Sequence, residues 1–424
     1  MHIADVSHYL EEGGVIDAEA VKRQTSVYLV DRVIPMLPEV LSNDLCSLVE
    51  GKDRLTYAAV FEVTKEGNIL STWIGRTVIN SSKRFSYEEA QEIIEKKEGL
   101  FAEEIGFLND VAKILCAQRF EHGAISLDTE EVKFKLDENG VPIGVYVKDR
   151  KDAHKMIEEW MLLANRSVSE YVSKLGEKEP NVFVYRVHAL PSEEKMLDLS
   201  IFLQNLGHNI KLKDGQLVPR ELNALLKSLD GHPEKDVVQI RVTRSMQKAI
   251  YSTNNIGHYG LAFEHYTHFT SPIRRYPDVL VHRLLSIYLS GKQVPKDKWH
   301  LYDTLCGYAS TREKEAADAA RGSIKYKQVE YMSSRIGQEF DGIVSGLADW
   351  GVFVEDKESK SEGLIRLRDL GDDFYTFDEK KYVIKGEKYK QVFELGQKVR
   401  IKLVKTDMEA KTIDFVLVPE PKKV

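Results

Sequence analysis

Residues 257–278 concentrate the reactive side chains of this 424-residue sequence. The run Gly257-His-Tyr-Gly-Leu-Ala-Phe-Glu-His-Tyr-Thr-His-Phe-Thr-Ser-Pro-Ile-Arg-Arg-Tyr-Pro-Asp278 combines aromatics, three histidines (His258, His265 and His268) and the adjacent pair Arg274 and Arg275. Thr270-Ser271-Pro272 predicts a helix start, because a hydroxyl can cap orphan amides and Pro suits the first turn. Val279, Leu280, Leu284 and Ile287 follow at helical spacing. Both arginines would then lie in a first helical turn, where a cation gains nothing from the helix dipole. A cation placed against that preference implies an anionic partner, and Arg grips phosphate bidentately. The partner is either a ligand phosphate or an Asp or Glu of the same fold. The histidine spacings of 7 and 3 do not make a dedicated zinc pattern, so these side chains read as ligand-facing or structural.

The elements that must position these residues follow from periodicity. Residues 55–63 alternate apolar and polar, Glu66-Gly67-Asn68 signals a turn, and Ile69 to Val78 follows as the return strand, which predicts a β-hairpin. Ser86 with Glu89 three positions on is a capping box that puts Tyr87 at the first position of a helix. There it either pins the helix to the core or meets a ligand. Phe101 to Phe120 is amphipathic. His154 to Val172 is the strongest helix of the middle region and carries Glu158 and Glu159. Adjacent helical side chains diverge by about 100°, so one of the two faces any given site. Asn165 on the same helix either braces the core or reaches a ligand. Asp17 is expected to cap a helix running to Arg23. Further helices are expected over 192–206, 220–229, 237–247 and 311–335. Arg241 and Arg244 form either a basic stripe or a surface pair bonded to acids. From Gly337 the period changes to two, and five short strands with Gly-rich turns suit an OB barrel.

Several long, ordered runs resemble the ribonuclease II/ribonuclease R (RNB) family of processive 3'-to-5' exoribonucleases, on its ribonuclease R side. They are residues 257–278, His2-Ile-Ala-Asp-Val-Ser-His-Tyr9, Asp31 to Pro38 with Leu41 to Leu48, Glu158 to Asn165, and Tyr185-Arg-Val-His188. The last quarter resembles an S1-type RNA-binding barrel. The resemblance implies an α+β RNB catalytic domain over residues 1–336, incomplete at its N-terminus, followed by an all-β S1 domain over 337–424. It implies hydrolysis of single-stranded RNA to nucleoside 5'-monophosphates with Mg²⁺. Arg274 would contact the scissile phosphate, with Arg275 as runner-up. Tyr87 would stack on a base, Glu159 would touch the final sugar, and Tyr276 would also contact RNA. Trp350 and Phe353 flank Gly351 as the S1 signature expects, as stacking platforms, and Arg366 stands where many S1 domains have His. Many relatives carry a clamping Phe where this sequence has Leu127, which offers a base no π face.

One departure bears on activity. The family's metal-binding cluster, spaced like Asp-x-x-Asp-Ala-x-Asp-Phe-Asp-Asp, does not occur in the sequence, nor do its cold-shock domains. Asp5 alone cannot replace the cluster, and Asp372-Asp373 reads as a solvated loop. The expectation is a truncated architecture with three readings: an exoribonuclease by lineage, a catalytically silent RNA-binding fragment, or a chain completed by a separate upstream polypeptide.

Bulk properties bound the rest. No apolar run reaches the roughly 18 residues that span a bilayer, so no membrane partner is expected. The start of the sequence lacks a signal-peptide pattern. Cys46, Cys116 and Cys306 are widely spaced, which reads as buried free thiols in a cytoplasmic protein. The net charge of −7 argues against a protein that coats nucleic acid nonspecifically. Residues 337–424 carry 16 Lys and Arg against 18 Asp and Glu, so any RNA grip there must be local.

Overall fold

Strand β1 (His2–Ala4) leads through α1 (Val6–Tyr9), α2 (Val15–Arg23) and the short ribbon β2 (Val27–Tyr28) and β3 (Val33–Ile34) to the long hairpin β4 (Asp53–Val63) and β5 (Ile69–Asn80). This computed structural model describes residues 1–126, 131–177, 180–210, 212–232, 234–378 and 382–418. β4 is the middle strand, antiparallel to β1 (His2 opposite Ala58) and to β5 (Asp53 opposite Asn80). Gly67, at φ 79°, makes the turn the sequence signalled.

Three helices stand beside this sheet. In α3 (Tyr87–Lys96), Ser86 Oγ accepts from the Glu89 amide and Glu89 returns to the Ser86 amide, so the expected capping box is present. α4 (Ala102–Glu121) follows. Beyond the hairpin β6 (Glu131–Leu136) and β7 (Pro142–Lys148), α5 (Asp152–Gly176) packs on both. Trp160 of α5 donates to the Leu108 carbonyl of α4. Next come β8 (Tyr185–Val187), α6 (Glu193–Asn205), β9 (Leu212–Lys213), β10 (Gln216–Leu217), α7 (Pro219–Ser228), α8 (Lys235–Ser245) and β11 (Ile250–Ser252), which pairs with β8.

Helix α9 (Tyr276–Leu289) is the buried centre of the first core. Val279, Leu280, Val281, Leu284 and Leu285 are almost completely covered, as suits a helix that is apolar nearly all round. It does not begin at Thr270. Its cap is Arg275, in an extended conformation at φ −139°, and Pro277 rather than Pro272 occupies its first turn. The reason is tertiary. Ser26 N–H donates to the Arg274 carbonyl at 3.0 Å and Tyr276 N–H donates to Gln24 at 2.8 Å. These bonds, flanking an antiparallel bridge between Thr25 and Arg275, hold the backbone extended at Arg275, so the helix begins only after it. Asp17 is likewise not a cap. Gly14 caps α2, and the Asp17 carboxylate binds Tyr276 and Arg283.

α10 (Trp299–Ser333) is longer than its sequence pattern suggested. Beyond it, β12 (Glu339–Ala348), β13 (Gly351–Asp356), β14 (Glu362–Arg366), β18 (Lys398–Asp407) and β19 (Thr412–Leu417) close a barrel in the order β12-β13-β14-β19-β18. Between β14 and β18 lies a small sheet that the sequence did not reveal: β15 (Tyr375–Asp378), β16 (Val383–Gly386) and β17 (Val392–Phe393). One continuous core joins α6, α8, the end of α10 and the barrel interior. Among the described residues, no helix is long and apolar enough to cross a membrane.

Candidate RNA-binding and catalytic cleft

A cleft of about 350 Å³ opens between the start of α3, one face of α5 and the 266–275 loop. Tyr87, Arg274 and Arg275 all line it, so residues far apart in sequence meet in one place. The Tyr87 ring is 42% exposed and lies parallel to the His154 imidazole, with centroids 4.1 Å apart. His154 was not foreseen, because nothing in its own helix pattern marks it. Burial lowers its pKa, which favours a neutral ring. Arg274 is exposed and donates to Ser271 Oγ at 3.1 Å, while its carbonyl is pinned by residue 26. Its guanidinium is thus presented to the cleft by a fixed backbone.

Arg275 behaves differently. It pairs with the fully buried Asp278 at 2.7 Å. Burial opposes its charge, but Asp278 outweighs burial and raises its pKa. Of the two partners left open for an arginine in this loop, Arg275 has taken the carboxylate of its own fold. Asn165 also turns inward. Its Oδ1 accepts from the Phe269 amide at 2.8 Å and its Nδ2 donates to Tyr266, so it braces the loop. Tyr276 requires a correction. Its ring is 2% exposed and its hydroxyl sits between Asp17 and Arg283, leaving no ring face for RNA.

Glu158 and Glu159 diverge as helix geometry demands. Glu158 lines the Tyr87 cleft and pairs with Arg150. Glu159 lines a neighbouring cavity of about 360 Å³ with Arg119, His122, Arg166 and Phe263. It is buried and held by both Nη2 and Nε of Arg119, the latter at 3.3 Å. Arg119 lies 40 positions away on α4, so local sequence carried no signal of the pair. Leu127 lies outside the described residues.

The histidines of 257–269 go to separate partners. His258 Nδ1 accepts from the Leu261 amide, His265 meets Asn255, and His268 Nδ1 lies 2.8 Å from the Tyr251 hydroxyl. Burial first, then His188 and Arg186, push the His258 pKa down to about 3.

The acids present do not fit a magnesium ion. Asp5 is 3% exposed; Oδ1 accepts from Ser7 Oγ and the His8 amide, and Oδ2 pairs with Arg76 at 3.0 Å. Asp373 is occupied by the amides of Phe374, Lys388 and Tyr389. Among the described residues there is no group of three or more His, Cys, Asp or Glu side chains that could hold a metal. The cysteines are free; Cys46 and Cys306 are buried, whereas Cys116 is only half-buried.

On the barrel, Trp350 stands 62% exposed at the β12–β13 turn. Gly351 must be glycine, since a Cβ would meet the Ile365 carbonyl oxygen at 2.3 Å. Phe353 is half-buried on β13, and Arg366, opposite Gly351, lies 3.5 Å from Asp414. Trp350 also borders a cavity of about 470 Å³ against α6 and α8. There Arg241 is stacked between Tyr382 and Phe202, at 4.3 and 5.0 Å, which makes it a packing residue.

A mixed α/β domain leading through a long helix into a closed five-stranded barrel is the architecture of an RNB–S1 protein. Residues 1–291 match the RNB domain family and residues 333–417 the S1 RNA binding domain family. The chain belongs to the RNB family. It is 41% identical over 431 residues to Ribonuclease R of Thermotoga maritima and 38% over 430 residues to that of Aquifex aeolicus. These alignments cover 99% and 100% of this chain and 60% of each relative, so the chain spans about 60% of their length. Mycoplasma genitalium RNase R in complex with ribose methylated single-stranded RNA superposes with a TM-score of 0.91 at 29% identity, covering 98% of this chain and 66% of that one. The same enzyme in complex with double-stranded RNA gives 0.84 at 27%, covering 98% and 70%.

Proposed function

We propose that this chain forms the RNA-gripping part of a ribonuclease R-type 3'-to-5' exoribonuclease site, acting on single-stranded RNA to give nucleoside 5'-monophosphates. The observation that carries this reading is the meeting of an exposed aromatic face, Tyr87, and an outward guanidinium, Arg274, in one cleft. A base can stack on the first while its phosphate meets the second. Arg274 is the residue suited to charge that builds on the phosphate during attack, and Arg275 holds the loop behind it. Glu159 is proposed for the terminal sugar, and Trp350, Phe353 and Arg366 for the RNA that reaches the barrel. The domains are proposed to divide at residue 337.

A second reading has its own observation. The Asp5 carboxylate is fully engaged, and the described residues hold no metal-binding group. Residues 1–424 by themselves then bind RNA without cutting it, and Mg²⁺ would be held by carboxylates outside these residues. The test is release of mononucleotides from labelled single-stranded RNA in Mg²⁺. Residues 1–424 alone should bind RNA and release only traces. Adding a polypeptide that carries the family's aspartate cluster should restore digestion, and Arg274→Ala should then lower it by about 10²-fold or more. Robust release by the chain alone would overturn the second reading. Restored digestion indifferent to Arg274→Ala would overturn the role given to that residue.

A further inference from the structure

The proposed role of the Tyr87–Arg274 cleft leaves one polar side chain on its wall unused. His268 lines the cleft beside Arg274 and Arg275. Its Nδ1 lies 2.8 Å from the Tyr251 hydroxyl, and Tyr251 is 4% exposed and not part of the cleft wall. The phenol therefore approaches from behind the ring. Among the described residues, Nε2 has no hydrogen-bond partner, although His268 is half-covered rather than sealed.

The tautomer follows from the phenol. A buried Tyr hydroxyl has one proton and must donate it. Among the described residues, its hydrogen-bond partner is His268 Nδ1. Burial raises the Tyr251 pKa, outweighing the Arg275 and Arg186 cations that lower it, and keeps that proton in place. Nδ1 is then the acceptor, and the proton of the neutral imidazole sits on Nε2. The ring is neutral for a stated reason: burial, followed by Arg275 and Arg186, holds its pKa well below the ordinary histidine range. Arg186 is itself fixed, paired with Glu313 at 2.7 Å and stacked 4.6 Å over Tyr251. The chain Glu313–Arg186–Tyr251–His268 thus ends in a single N–H directed toward the cleft.

We propose that His268 is a positioning residue whose Nε2–H, oriented by Tyr251, donates a hydrogen bond to a non-bridging phosphate oxygen of RNA bound in the Arg274 cleft. A neutral donor beside two arginines orients a phosphate without adding a third charge to the loop. This inference rests on the cleft being the RNA site.

The unaltered chain, labelled with ¹⁵N-histidine, tests it without risk to folding. His268 should show the Nε2–H tautomer when free, and its Nε2 resonance should move on addition of single-stranded RNA; His268→Gln assigns the signal. In parallel, affinity for the same RNA is measured by fluorescence anisotropy. His268→Ala should weaken binding about tenfold, the loss of one hydrogen bond to a charged group. His268→Gln, whose amide can donate from a similar position, should recover much of that loss. Tyr251→Phe should keep binding measurable but redistribute the tautomers. An unmoved Nε2 resonance, or His268→Ala binding as tightly as the unaltered chain while Arg274→Ala binds weakly, overturns this inference and leaves the cleft intact. If Arg274→Ala also binds normally, the cleft reading itself fails and carries this one with it.

Discussion

Arg274 and Arg275 are neighbours in sequence with opposite fates, and stability and binding should separate them. Arg275 is covered and paired with Asp278, which has no exposed surface. Replacing it with Ala strands a buried carboxylate and should cost about 3–5 kcal/mol of folding stability. Arg274 is exposed and holds only a serine hydroxyl. Arg274→Ala should leave the urea midpoint nearly unchanged while RNA affinity falls. Denaturation curves and binding isotherms of the two variants check this. Equal loss of stability in both would mean that Arg274 also serves the fold. The residue types pointed to an anion, but nothing local could tell which arginine would find an internal acid. That depended on Asp278 turning back over Ser271, whose amide it accepts at 2.7 Å.

At the scale of elements, local rules read what local forces decide. The capping box at Ser86, the hairpin turning at Gly67 and the five barrel strands were all legible, because a cap, a φ > 0 turn and period-two alternation are properties of adjacent residues. The start of α9 was misread because residues 24–26, over 240 positions away in sequence, hold the backbone extended at Arg275. The sheet β15–β17 was missed because its strands are two to four residues long. The candidate cleft was legible as residues but not as an arrangement: the sequence singled out Tyr87 and Arg274, which meet in one cleft, while His154 and Arg119 emerge only from packing. The loop and strands around residues 185–282 also make a pH prediction. Burial is the first cause lowering the pKa of His188, His258, His268 and His282. The unfolded chain takes up protons near pH 6.5 and the folded chain does not, so stability is full above about 6.5 and falls as pH drops. Each such histidine contributes up to about 1.4 kcal/mol per pH unit, and only between its unfolded pKa and its lower folded one. The melting temperature should decline steadily from pH 6.5 to 5, above the carboxylate range. A flat profile across that window would show that these rings protonate in the folded state.

Across the whole molecule, the barrel and the preceding helices share a core, and this decides how the barrel's role can be tested. Met196, Val238, Val242, Val329 and Met332 are fully or nearly fully buried in the same cluster as the barrel's Val344, Ile401 and Phe415. α8 touches β12, and α10 touches β18 and β19. A cut at residue 337 would uncover part of that cluster, so weak RNA binding by the remainder would report damage to the fold as much as loss of a platform. Trp350 avoids the confusion, because it is 62% exposed and contributes little to the core. Trp350→Ala should melt like the unaltered chain. Loss of one base stack, worth about 1–3 kcal/mol by alanine substitution, should weaken RNA binding about fivefold or more. Its salt dependence should stay the same, because stacking releases no counterions, whereas Arg274→Ala should reduce the slope of log K against log salt by about 0.7. With a net charge of −7, the chain has no general attraction for RNA, so that slope reports the few local cations that touch phosphate. Titrations at several salt concentrations distinguish the two contributions. A Trp350→Ala chain that folds and binds RNA as before would place the grip on the cleft alone and leave the barrel's exposed aromatic to another partner.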